Sequence, residues 1–377
     1  MSHFPGGPSG AARRIQCPAS VMLEQQFPDV EDDHAAREGE AFHWACAERL
    51  RGAQVAEGQV APNNFVLDED MVEAADEVYN DIADMLAPYG LKPEQGQSEK
   101  PVKIDRVYPG MFGTPDYYCW VDLGGGGRYL LLLWDFKYGR RYVEVFENPQ
   151  LVDYVAGITQ GLNDLQTPVE IVATIYQPRA FHGDGSIRRW RTTLLDLRAL
   201  INISSTAAHE AYGATPRARV GPECRDCKAR HSCSTFTAAV YDALHEADRT
   251  TPLQMTPVQM AQERRIVADA LQVLEARLAG LEAQLTVELR AGRAVPGLRL
   301  EHGYGRERWN ASPTAVIAMG EGFGLNLAKP IAAVTPKQAR DLGMNPELVS
   351  ALSTRPRAAA TLVEDKGVKW RKVFGSS

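Results

Sequence analysis

Apolar and polar positions follow two different periods along the chain, and the change from one to the other marks out the elements. In "EGEAFHWACAERLRG", Glu38 to Gly52, residues Phe42, Cys46 and Leu50 recur every fourth position, which predicts a helix with one apolar stripe. The segment "DEDMVEAADEVYNDIADMLAPYG" leads with acids and is stopped by Pro88, so it predicts a second helix. Extended segments follow: "EKPVKIDRV", "PDYYCWVDL" and "YLLLLWDFKYG", the last two separated by a glycine turn at Gly124 to Gly127. The leucine run from Leu130 to Leu133 predicts a strand buried on both faces. Asn148 and Pro149 then give a cap and first turn for a helix reaching about Leu162, and "VEIVATIYQP", Val169 to Pro178, predicts another strand. Helix, three strands, helix, strand is the order of an α/β fold, a mixed sheet flanked by helices.

From Thr256 the period lengthens into one helix. Thr256, Pro257 and Gln259 form a capping-box start, and Val267, Leu271, Leu274, Leu278, Leu281, Leu285 and Leu289 recur at three and four up to Gly292. This stripe is expected to pack on its own chain, with pairing to a partner chain as the other use. Beyond it, "TPKQARDLG" and "NPELVSALS" predict two short capped helices. Glycine, proline and serine crowd the first ten residues. The expected organisation is a mobile arm over residues 1–13, a main domain over 14–250, and a long helix with a small α+β region over 251–377.

Composition fits this picture: the 377 residues are 44% hydrophobic and 24% charged, those of a folded globular chain. No apolar run approaches the roughly 20 residues that cross a bilayer, and "MSHFPGGPSGAARR" lacks the hydrophobic segment of a secretory signal, so a cytoplasmic protein without membrane contact is expected. A formal charge of −7 argues against coating nucleic acid by bulk electrostatics. Local basic patches remain in "IRRWR", Ile187 to Arg191, and "KGVKWRK", Lys366 to Lys372, each with a tryptophan that either stacks on a base or is half-buried structure.

The buried leucine strand ends in charges. Side chains alternate along a strand, so Asp135 and Lys137 project to one side where it leaves the core, and "GTPD" sets Asp116 at the mouth of the preceding strand. Two converging carboxylates repel unless a cation lies between them, and oxygen ligands of this kind suit Mg or Mn. A lysine beside such a metal can orient the attacking water and offset the charge of a phosphodiester transition state. Read alone, Asp135 and Lys137 are equally a surface ion pair.

The six cysteines add a separate line. Cys224, Cys227 and Cys233 lie in "CRDCKARHSC", and three clustered thiols in a chain with no export signal invite a metal that wants a fourth ligand, for which Cys17 in "IQCPAS" is the best placed. Cys46 and Cys119 read as core.

Taken together these residues resemble a known group of enzymes. "GTPD" followed by "WDFK" is similar to the G-x-x-D and (D/E)-x-K motifs of the PD-(D/E)XK nuclease superfamily, whose core has the element order given above. Gly39 and His43 in "GEAFH", and Gln150 and Tyr154 in "NPQLVDYVAG", resemble the G-x-x-x-H and Q-x-x-x-Y motifs of its RecB-type branch. One cysteine near the start and three after the core resemble the iron-sulfur members of that branch, the AddB nuclease domain and CRISPR-associated relatives. "CPASVML", "GTPD", "DFKYG", "ENPQL" and "QPR" together also resemble a bacteriophage family related to these nucleases.

The resemblance implies a restriction-endonuclease-like sheet, with Asp116, Asp135 and His43 holding Mg or Mn, Lys137 acting on the attacking water, and Gln150 and Tyr154 contacting DNA or bracing the site. It implies a four-iron four-sulfur cluster on Cys17, Cys224, Cys227 and Cys233, with zinc on the same thiolates as the alternative. The function implied is a metal-dependent deoxyribonuclease, an exonuclease on single-stranded DNA ends in phage replication or recombination, acting in the bacterial host cytoplasm. A DNA-binding or assembly factor that keeps the fold without catalysis is the competing expectation. No G-x-x-x-x-G-K-[ST] is present, so any helicase or recombination partner would be a separate chain.

Overall fold

The computed structural model describes residues 4–27, 34–124, 127–163, 167–180, 183, 185–247, 255–304, 308–309, 311–328, 336–354 and 357–364. These fall into two compact units, residues 1–281 and residues 282–377, with the long helix running through the division.

The first unit opens with α1 (Ala11–Gln16), α2 (Ser20–Glu24), α3 (His34–Leu50) and α4 (Glu69–Leu86). Asp68 caps α4 by accepting the Met71 N–H at 3.0 Å. Short strands β1 (Gln97–Ser98), β2 (Val102–Lys103) and β3 (Phe112–Gly113) lead into β4 (Tyr117–Asp122) and β5 (Tyr129–Phe136). Next come α5 (Pro149–Ile158), β6 (Val169–Tyr176), β7 (Ile187–Thr193), α6 (Leu194–Ala211), α7 (Ser234–Ala247) and α8 (Pro257–Arg290).

The main sheet has the order β1-β4-β5-β6-β7, with β5 and β6 parallel and the other pairs antiparallel. This is the expected mixed sheet with helices on it. Alternation along the central strands divides the core into two layers. Tyr117, Cys119, Leu132, Trp134 and Phe136 face one cluster with Phe42, Leu50, Met71, Val78 and Ile82 of α3 and α4. Tyr118, Leu131, Leu133, Ile171 and Ile175 face the other, with Leu151, Val155, Leu194 and Leu197 of α5 and α6. Both faces of β5 are therefore covered, as its leucine run predicts.

Four expectations change. "EKPVKIDRV" supplies only the two residues of β2, which pair with β3 outside the main sheet. Pro101 brings no N–H to a ladder, and Asp105 turns the chain instead by accepting the Gly110 N–H at 2.7 Å. The edge strand β7 and helix α6 had no counterpart in the sequence reading. Residues 4–13 pack as part of the unit rather than forming an arm: Ala11 is fully buried, and Phe4 meets the rings of Phe112 and Tyr212. Finally, α8 turns Ala276 and Gly280 inward and packs Leu274 against the cluster of Phe236 and Val240, while Val267, Leu271, Leu278 and Leu281 stay exposed, so only part of its leucine stripe is covered.

The second unit is the small α+β region expected. Strand β8 (Leu298–Tyr304) pairs antiparallel with β11 (Arg357–Glu364), and β9 (Arg308–Trp309) with β10 (Ser353–Thr354). Helices α9 (Pro313–Gly322), α10 (Pro336–Asp341) and α11 (Pro346–Leu352) close a core of Val316, Leu327, Ala339, Met344 and Val349. "KGVKWRK" lies outside the described residues. Among those described, no helix is long and apolar enough to cross a membrane.

Candidate functional site

The site lies where β4 begins and β5 ends. Their register pairs Tyr117 with Trp134, so the next step brings Asp116 level with Asp135. In place of a further backbone bond, the Asp116 Oδ2 accepts the Phe136 N–H at 2.5 Å, which fixes the carboxylate in the mouth of the sheet. Its Oδ1 lies 3.0 Å from Nδ1 of His43, carried there by α3 from the opposite layer. Both acids are almost fully enclosed, Asp116 at 6% and Asp135 at 2% exposure.

Glu99 completes the group. Its N–H donates to the Asp116 carbonyl at 3.0 Å, and its φ of 51° holds it in a left-handed conformation that a glutamate rarely adopts. Its Oε1 stands 4.0 Å from His43 Nδ1. Donor atoms of His43, Glu99 and Asp116 all lie within 4.8 Å of one another, close enough for one ion. No motif spacing singles out Glu99, an acid between two two-residue strands, so the sequence alone assigns it no role.

Asp135 is turned to the lysine. Its Oδ2 accepts from Lys137 Nζ at 2.9 Å, and the same ammonium donates to Gln150 Oε1 at 2.9 Å. Gln150 Nε2 in turn donates to the Tyr154 hydroxyl at 3.2 Å, one turn along α5. That helix starts where it does because Asn148 Oδ1 accepts the Gln150 N–H. Gly113, the glycine of "GTPD", lets Tyr154 approach, since a Cβ there would stand 3.0 Å from the Tyr154 ring and 2.7 Å from Pro8. The segment after Lys137 is tied down by buried Gln177 of "QPR", which donates to the carbonyls of Gly139 and Arg141 and accepts from the Val143 N–H.

Electrostatics confirm the crowding. Burial, and then the Asp116 charge, push the Glu99 carboxyl up to about 7. Burial raises the Asp135 pKa, with Lys137 opposing and Asp116 adding to the rise. Burial disfavours the charged forms of His43 and Lys137, but the neighbouring carboxylates outweigh it and raise both. Lys137 is therefore an ammonium in this setting rather than a free base.

The four cysteines expected to act together line one cavity. Cys17 follows α1, Cys224 lies within the 3-10 helix Pro222–Asp226 and Cys227 directly after it, and Cys233 precedes α7. All six cysteines are free thiols. The Arg219 N–H donates to Cys17 Sγ at 3.4 Å, and Arg13, Arg219 and Arg230 border the cavity. Burial raises the Cys224 and Cys227 thiols, Cys227 to about 12. Cys46 and Cys119 are core residues, as read from the sequence.

Residues 3–365 match the family described as "Protein of unknown function (DUF2800)". The chain belongs to that family. The match takes in both the carboxylate site and the thiol cavity, so in this DUF2800 protein the two lie within the family's shared extent.

Proposed function

We propose that the chain is a metal-dependent deoxyribonuclease, working as an exonuclease on single-stranded ends. The observation that carries this reading is the gathering of buried Asp116 and Asp135 and half-buried Glu99 at one sheet end beside His43 and Lys137. Gathering enclosed carboxylates costs stability unless a cation is to be bound there. His43, Glu99 and Asp116 would hold Mg or Mn, with Asp135 near enough for Asp116 and His43 to shift its titration. The bound ion would supply Lewis acidity and lower the pKa of a coordinated water.

The chain's own part is to position and to neutralise. Lys137, charged and held between Asp135 and Gln150, would offer its ammonium to the attacking water and to the negative charge on the phosphoryl oxygens. Gln150 and Tyr154 fix that lysine from α5. Gly39 supports an approach of nucleic acid along α3. A glycine inside a helix costs about 1 kcal/mol relative to alanine. Among the described residues, nothing outside its own stretch of helix lies within 4 Å of where its side chain would stand, one turn before His43.

For the thiols the reading is a four-iron four-sulfur cluster. Zinc would gather four sulfurs at about 2.3 Å from one centre, hence about 3.8 Å apart. A four-iron four-sulfur cluster instead places each thiolate on a different iron; the four thiols line one cavity, and this reading rests on the order of one cysteine before the core and three after it. Arg13, Arg219 and Arg230 would offset the negative charge of such a group.

The test is degradation of end-labelled single- and double-stranded DNA with Mg or Mn, comparing wild type and Asp135→Ala. Metal-dependent loss of label by wild type alone is expected. A folded wild type, loaded with its cluster, that binds DNA without cleaving it would replace this reading with that of a binding or assembly factor.

A further inference from the structure

Helix α8 leaves the wrong face to solvent for a helix that serves only its own unit. Ala276 and Gly280 are the residues it buries, and a Cβ on Gly280 would stand 2.6 Å from Arg230, so this contact is close. Arg277 reinforces it by donating to the Arg230 carbonyl at 2.9 Å. The opposite side carries Met260, Val267, Leu271, Leu278 and Leu281 at 51, 58, 53, 57 and 39% exposure, with Leu274 between them half-buried against the cluster of Phe236 and Val240. With Arg264 these fill alternate three- and four-residue steps from Met260 to Leu281, the period of a coiled-coil seam rather than of a single packed face.

We propose that this seam is the interface of an antiparallel homodimer. The occupant is a second copy of α8, because the seam is complementary to itself in one direction only. About a two-fold axis between Leu271 and Leu274, Leu271 meets Leu274 of the second copy and Val267 meets its Leu278. Arg264 then reaches Leu281 of the second copy with Glu282 beside it, so the one charged seam position finds an opposite charge. In a parallel pair Arg264 would face its own duplicate.

The size suffices. At 1.5 Å per residue the seam is about 32 Å long, and a strip that length and about 10 Å wide exposes on the order of 600 Å² per copy once its side chains are counted. Two copies bury about 1,200 Å², within the range of specific interfaces.

Sedimentation of the full chain tests this independently of any nuclease activity. Wild type is expected as a dimer at micromolar concentration, and Leu271→Glu with Leu278→Glu as a monomer with unchanged circular dichroism, its association weakened about a hundredfold or more. Both leucines are solvent-exposed, so the fold does not depend on them. Arg264→Glu should weaken the dimer, and adding Glu282→Arg should restore it. A wild type that stays monomeric at about 100 µM, or a doubly substituted chain that stays dimeric, overturns the proposal. Failure of the charge exchange to restore association overturns the antiparallel arrangement.

Discussion

Glu99→Gln should make the metal-free protein more stable, by an amount that depends on pH. The Glu99 carboxyl, ordinarily near 4.5, is pushed up to about 7 by burial and the Asp116 charge. At about 1.4 kcal/mol per decade of proton affinity, ionising it in the folded protein costs roughly 3 kcal/mol more than in the unfolded chain. Between about 4.5 and 7 the folded protein holds a proton that the unfolded chain has lost, so wild-type stability falls as pH rises through that window. Glutamine keeps the shape without the charge. Its advantage should be near zero around pH 4.5, grow through the window, and level off above about 7 at up to about 3 kcal/mol. For a unit of this size that corresponds to roughly 5–10 °C in Tm. Loss of the Glu99 charge matters little to His43, on which Glu99 is the weakest of the named influences. The assay is thermal unfolding of both proteins in EDTA across pH, repeated with Mn. Added Mn should raise the wild type by about 2.7 kcal/mol at a hundredfold excess over its Kd and the variant by much less. A stability difference that does not change with pH, or a variant less stable than wild type near pH 8, would refute the account of this site.

Other substitutions probe the remaining parts. If the protein is the proposed nuclease, Asp135→Ala should lower DNA cleavage by about a thousandfold or more while leaving circular dichroism unchanged, since the carboxylate orients Lys137 and would flank the proposed ion. Arg14→Met removes the partner of fully buried Asp153, 2.8 Å away, and should cost about 3–5 kcal/mol in urea unfolding; Arg14→Met with Asp153→Leu should recover much of that loss. Cys17→Ser should reduce the iron and acid-labile sulfide of anaerobically purified protein, whereas colourless wild type with one zinc per chain would decide for zinc.

The parts legible in the sequence were those governed by a period or a local cap. The leucine run of β5, the capping residues Asn148 and Thr256, and the alternation that sends Asp135 and Lys137 to one side each follow from short-range rules. What stayed hidden depends on contacts between distant residues. Glu99 joins His43 and Asp116 because the chain turns back at a two-residue strand, and nothing in "SEKP" announces it. The arm misread at residues 4–13 has the composition of a loose terminus, yet Arg14 anchors it from a site formed by α5 and α6. "IRRWR" reads as a basic patch, but its residues form edge strand β7, where Arg188 is buried and bonded to Gln177. The stripe of α8 follows from its period, which fixes which residues share a face but not how much of that face its own unit covers: Leu274 packs against the cluster of Phe236 and Val240, while Leu271 and Leu278 stay exposed.

A single buried cation joins the thiol cavity to the carboxylate site. Arg14 lies on α1, three residues before Cys17, and donates to Asp153 Oδ2 at 2.8 Å and to the Ser204 hydroxyl at 2.6 Å. Ser204 donates in turn to Asp153 Oδ1, so both oxygens of a carboxylate in the middle of α5 are engaged. Asp153 sits between Gln150 and Tyr154, the two residues that brace Lys137 from the same helix. Whatever fixes Cys17 against Cys224, Cys227 and Cys233 therefore also fixes α1, and through Arg14 the helix that orients the lysine. Closing a loop of this length removes several kcal/mol of chain entropy from the unfolded state, on the scale of a long-range disulfide. A surface site could be given up without cost to the chemistry. Placed three residues from Arg14, a metal-bound thiol set would hold in register the same helix that braces Lys137, so under the proposed cluster loss of Cys17 should loosen Lys137 as well as lower stability.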